Sequence, residues 1–185
     1  MSTRRRALPI IIAVAAITIA GCGGATQPPP APSAAPPRGP ALRFAFESVR
    51  GGPISTEAFA NRISVIGFFT TYDVPSQVEA RFLASLAKRH SPRVNAAALM
   101  LEGPENEPLV QAFAETLGLP YPVALADAAT IAGKGPFAGL HHVPSVVILD
   151  RQGREAYRHV GFIDEATLEA AVKMVESDSP APGAR

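Results

Sequence analysis

The feature that most limits how this chain can fold is the run Ile63–Phe69, ISVIGFF, which carries one polar side chain, Ser64, and stops against the polar corner TTYDVPSQ. A continuous apolar run of that length, bounded by turn residues, reads as a strand covered on both faces. Such a strand belongs in the middle of a sheet, with a layer above and a layer below. After Pro75 an amphipathic pattern begins at once, through Val78, Phe82 and Leu86 with Leu83 beside them, and His90-Ser91-Pro92 ends it. The corner therefore joins a central strand to a helix, and Asp73 and Ser76 sit at its tip.

The flanking pattern extends this unit. Residues 42–46, LRFAF, alternate as a short strand with Leu42, Phe44 and Phe46 on one face; Gly51-Gly52-Pro53 supplies a turn, and Ser55-Thr56-Glu57 opens a helical turn ending near Asn61. Residues 94–101, VNAAALML, form a second apolar run. Glu102-Gly103-Pro104 reads as a loop before a helix through Leu109, Val110, Phe113 and Leu117, capped by Gly118. Residues 124–132 suit a weak helix, 146–150 a third strong strand, Arg151-Gln152-Gly153 a tight turn and Glu155–Val160 a returning strand. Asp164 caps a last helix whose Leu168, Ala171, Val172 and Val175 line one face. The order predicts an α/β domain over residues 42–176: a central mixed β-sheet with helices on both faces and an N-terminal β-strand extension.

That order, with residues at set points, resembles the thioredoxin fold, and more closely its TlpA/ResA-type thiol-disulfide branch. Members of that branch carry a strand ending FWATWCPPCRxExP, and Phe68-Phe69-Thr70-Thr71-Tyr72-Asp73-Val74-Pro75-Ser76-Gln77-Val78-Glu79 stands in its place. Further on, Val143-Pro144-Ser145-Val146-Val147-Ile148-Leu149-Asp150-Arg151-Gln152-Gly153 looks like the family's xPTxxxIDxxG, whose proline is cis. The resemblance implies a redoxin-type domain whose two cysteines are replaced by Asp73 and Ser76. The only cysteine of the chain is Cys22. Disulfide exchange needs a thiolate that attacks a disulfide sulfur, and neither carboxylate nor hydroxyl replaces it.

Asp73 suits a helix N-cap that accepts the Ser76 amide, since Pro75 has no N–H to give. Glu79 matches a glutamate that lies beside the family's cysteines and reads here as a helix-face residue. Hydrolytic chemistry by Ser76 wants a base and an oxyanion hole, and no histidine lies near it in sequence. The four histidines, His90, His141, His142 and His159, have no thiolate to join them. Adjacent histidines in an extended segment point to opposite sides, so they read as surface imidazoles. No catalytic residue, metal or cofactor is expected. The resemblance leaves a peptide groove, in which the residue before the cis proline, Val143 next to Pro144, offers main-chain groups to an added strand. Tyr72 and the loop carrying Phe137 and Leu140 supply apolar rim contacts. Non-catalytic binding or scaffolding of an envelope protein or extended peptide follows; the alternatives are a TlpA-type thiol-disulfide oxidoreductase by descent, acting only with a partner's cysteine, and a wholly structural role.

The chain ends supply an address. Residues 1–21 begin with Arg4-Arg5-Arg6 and continue into an uncharged apolar segment too short to span a bilayer, as an export signal does. Sec and twin-arginine export both remain open. Ile19-Ala20-Gly21-Cys22 resembles the bacterial lipobox, whose cysteine is acylated and opens the mature protein. Residues 22–41 are a Pro/Ala-rich tether and 177–185 a disordered tail, neither with apolar surface to bury. Without the three arginines, 14 basic residues face 16 acidic ones, a formal charge of −2, which argues against a nucleic-acid partner. The expected location is the bacterial cell envelope, lipid-anchored on the periplasmic face. Gly23 and Gly24 lack an inner-membrane retention aspartate and favour the outer membrane.

Overall fold

The computed structural model describes residues 39–179. The export signal, Cys22, most of the tether and residues 180–185 of the tail lie outside them. The chain runs β1 (Ala45–Phe46), β2 (Ser48–Arg50), β3 (Ile54–Ser55), β4 (Ile63–Phe69), α1 (Val74–His90), β5 (Val94–Met100), α2 (Glu107–Thr116), β6 (Val123–Leu125), α3 (Ala128–Ile131), β7 (Ser145–Leu149), β8 (Glu155–Val160) and α4 (Glu165–Asp178). Six of the strands form one sheet in the order β2-β6-β5-β4-β7-β8. β4 lies inside it, parallel to β5 with Ile63 opposite Val94 and Phe69 opposite Met100, and antiparallel to β7 with Ser64 opposite Leu149. All seven of its residues are buried, as the apolar run requires.

Alternation along β4 splits the interior into two layers. Ile63, Val65 and Phe69 face α1, α2 and α4, meeting Leu83, Leu86, Val110, Phe113, Leu168 and Val172. Ile66 and Phe68 face the other way, into Phe44, Phe46, Phe59, Phe137 and Leu140. The long helices therefore share one face, and only short helical segments lie on the other, so the expected flanking helices are unequal in length. Successive parallel steps β4-β5-β6 in one direction, joined by right-handed crossovers, put α1 and α2 on the same side. The second face is closed by the β1/β3 pair and by the segment carrying α3 and the short 3-10 turn Gly135–Phe137.

Local differences have local causes. Residues 124 and 125 lie in a strand, because pairing with Leu99 and Met100 at the sheet outweighs the helix propensity of alanine; only Ala128–Ile131, capped by Asp127, is helical. The α1 stripe that packs on the sheet is Ser76, Glu79, Ala80, Leu83, Ala84, Leu86 and His90, and Val78 points outward. The small Ala80 and Ala84 let the helix approach the strands closely, which turns Val78 away. Gly118, at φ +59°, ends α2 as a Schellman cap, its N–H on the Glu115 carbonyl and the Leu119 N–H on that of Ala114. α4 runs two residues past the expected boundary at 176. His90 is buried rather than superficial: its Nε2 lies 2.9 Å from Glu169 Oε1, tying the end of α1 to α4. Among the described residues no helix is long and apolar enough to cross a membrane.

Candidate functional site

The corner between β4 and α1 is braced from three directions. Asp73 has extended backbone, and its Oδ2 accepts the Ser76 amide at 2.8 Å, the capping bond expected from the sequence. The same oxygen accepts the Ser76 hydroxyl at 2.7 Å, and the Thr70 N–H donates to Ser76 Oγ at 3.4 Å. Gln77 Nε2 donates to the Thr71 carbonyl at 3.1 Å. Glu102, buried in the loop after β5, accepts the Thr71 N–H and the Thr71 hydroxyl. The loop position of Glu102 is legible in the sequence, and its burial is not. The signal that marks it is a carboxylate set directly after a fully apolar strand, where the backbone of the neighbouring strand end needs an acceptor.

These bonds decide what the corner does chemically. Ser76 is fully buried and its hydroxyl donates to the Asp73 carboxylate, so no carbonyl substrate reaches its oxygen. Glu79, a turn below, is also fully buried rather than on an open helix face. Its Oε2 accepts the Ile163 N–H at 3.0 Å, while Oε1 has no partner. Burial, with a smaller push from the Asp73 charge, raises its carboxyl to about 7 against the pull of the Ile163 hydrogen bond. Tyr121 sits near by with its hydroxyl on the Ala80 carbonyl at 2.8 Å; burial first, and the Glu79 charge second, push its phenol up. Glu79 thus behaves as a weak acid sealed beneath the corner.

Beside the corner lies the start of β7. The Val143–Pro144 peptide is cis. Phe68 pairs with Ser145, the first residue of β7, so the Val143–Pro144 peptide lies just beyond this last pair, at the end of the sheet that carries the corner. The Pro144 carbonyl accepts the Gly161 N–H at 2.9 Å and the His142 carbonyl the Ser145 hydroxyl at 2.8 Å. Among the described residues, neither the N–H nor the carbonyl of Val143 takes part in a hydrogen bond. His141 and His142 are exposed, and their rings lie 4.2 Å apart, so they share one side. The expectation that they diverge fails because this segment is bent, not a strand. Among the described residues no group of three or more His, Cys, Asp or Glu is placed to hold a metal.

Apolar surface gathers at the corner. Tyr72 is 75% exposed and Val74 66%. A groove of about 370 Å3 runs from Tyr72 and Gln77 to Leu109, Phe113 and Leu117 of the α2 region. Leu109, which the sequence sets on the α2 helix, is exposed and forms a groove wall. Phe137 and Leu140, expected at the rim, are fully buried; Phe137 packs edge-on against Phe68 at 5.1 Å. Their burial follows from the second core layer, which has no long helix and draws its apolar volume from this segment.

No protein-family model and no curated protein matches the sequence. Solved structures do. A DsbF homologue from Corynebacterium diphtheriae superposes with a TM-score of 0.65 at 18% identity, over 74% of this chain and 87% of its own. A thiol:disulfide interchange protein of the thioredoxin family from Chlorobium tepidum gives 0.63 at 24%, over 76% and 97%. StoA from Bacillus subtilis gives 0.59 at 19%, over 74% and 99%.

Proposed function

We propose that this chain, which has a thioredoxin-like fold, is a non-catalytic, TlpA/ResA-like module that holds an extended segment of a bacterial envelope protein. The observation that carries the reading is the unpaired main chain of Val143, just beyond the last β4–β7 pair at the end of the sheet where the corner and the exposed Tyr72 lie. An extended peptide laid there gains both backbone hydrogen bonds of a strand addition, and the groove beside Tyr72 takes an apolar side chain. The chemistry of the solved relatives' names does not transfer. Asp73 and Ser76 stand where the resemblance puts two cysteines, they bond to each other, and the one cysteine is Cys22. Acylation of Cys22 would anchor the domain to the membrane on the periplasmic face, with residues 23–41 as its tether.

A photoreactive phenylalanine in place of Tyr72, in the full-length protein in cells, is expected to crosslink to an unstructured segment of one envelope protein. Val143→Pro, which removes the donor N–H, and Tyr72→Ala should each lower the affinity of that segment in a purified binding assay, with the circular dichroism spectrum unchanged. Disulfide reduction or oxidation by the purified protein alone would refute the reading, and so would a segment that binds both variants as tightly as the wild type.

A further inference from the structure

The end of the sheet away from the corner holds a second concavity that the peptide groove does not use. Register places it: Phe69 closes β4 at the corner, whereas Ser64 opens it opposite Leu149. The cavity measures about 190 Å3. Its apolar walls are Phe44, Phe59 and Leu149, all buried, with the two rings edge-on at 6.2 Å. Its polar rim is Asn61, Gln152 and Arg151. A dry cavity of roughly 150 Å3 holds benzene, so this one admits a single ring or a chain of about six carbons.

Arg151 gives the cavity a chemical preference. Among the lining residues it alone is charged. Its Nε is buried and has no hydrogen-bond partner, whereas Arg154, three residues on, has its guanidinium on Asp150 at 2.8 Å. A buried guanidinium N–H without an acceptor is unfavourable, and a carboxylate matches the planar fork better than any neutral group. Inorganic phosphate would set a strongly hydrated, multiply charged group against an apolar wall with one cation to oppose it. Asn61 adds a side-chain amide from a left-handed backbone, φ +65°, which is uncommon for a residue other than glycine.

We propose that this cavity binds a small apolar monocarboxylic acid, its carboxylate on Arg151 and its body against the wall formed by Phe44, Phe59 and Leu149. The site is independent of the peptide groove and stands or falls without it. The probes are benzoate and hexanoate, with benzamide and hexanol as neutral counterparts, titrated into the purified full-length protein at neutral pH by calorimetry and ligand-observed NMR. At least one acid is expected to bind saturably and roughly ten- to a hundredfold more tightly than its neutral counterpart, the range of hydrogen bonds to a charged group. Arg151→Gln should erase that preference, and Arg151→Lys, which keeps charge without the fork, should recover part of it. Equal binding of acid and neutral counterpart, unchanged binding by Arg151→Gln, or no saturation by either acid at millimolar concentration, with water alone filling the cavity, overturns the proposal.

Discussion

Replacing Glu79 by glutamine should remove a pH-dependent part of the folding free energy. The carboxyl is buried with one oxygen on the Ile163 N–H and the other unpartnered, and it is pushed from 4.5 up to about 7. Because the folded value lies above the unfolded one, the folded state holds a proton that the unfolded chain has lost between those pH values. The stability tied to this group is fully present below about pH 4.5. It declines as pH rises and is gone above about 7. At roughly 1.4 kcal/mol per pH unit, the interval amounts to on the order of 3 kcal/mol. Glutamine keeps an acceptor for Ile163 and does not titrate. Urea unfolding of both proteins, followed by circular dichroism from pH 4.5 to 8, isolates the effect, since other titrating groups cancel in the difference. Wild-type minus variant stability should fall by about 3 kcal/mol across the interval and level off above it. A difference that stays flat with pH would show that Glu79 is ionised and solvated in the folded protein, and the burial account would fail.

Phe137→Ala should cost about 3–5 kcal/mol in chemical denaturation, since the ring fills the second core layer against Phe44, Phe46 and Phe68; a loss below about 1 kcal/mol would return it to the rim. Gly67→Ala drives a methyl into the Phe69 ring and to 3.3 Å from Leu83, both fully buried, and should cost about 1–3 kcal/mol by the same measurement. Asp73→Ala removes the cap on α1 and should cost about 1 kcal/mol, with Asp73→Asn retaining most of it. Tyr72→Ala should change stability by less than about 0.5 kcal/mol, because the ring is mostly exposed.

Several parts of the molecule were readable in one dimension. The run 63–69 announced a central strand, because a segment without a polar face has no way to lie at a wet surface. Asp73 and Asp164 announced helix starts, because capping is a contact between residues three apart, and both make it. The unreadable parts involve partners distant in sequence. Nothing local distinguishes Glu79 from an exposed helical glutamate; the N–H that its carboxylate accepts belongs to Ile163, 84 residues away. Glu102 braces Thr71 across 31 residues, and Phe137 and Leu140 became core because the second face of the sheet lacked a long helix to cover it.

By itself, then, the sequence determined the alternation of strands and helices, the caps that start them and the single cysteine that limits sulfur chemistry. These follow from side-chain period, short-range hydrogen bonding and atomic composition, none of which needs a folded chain. Only the tertiary structure decided which polar groups lost their water. It sealed Ser76 against Asp73, buried Glu79 and left Val143 unpaired and Arg151 short of a partner, because desolvation is set by what packs above a residue.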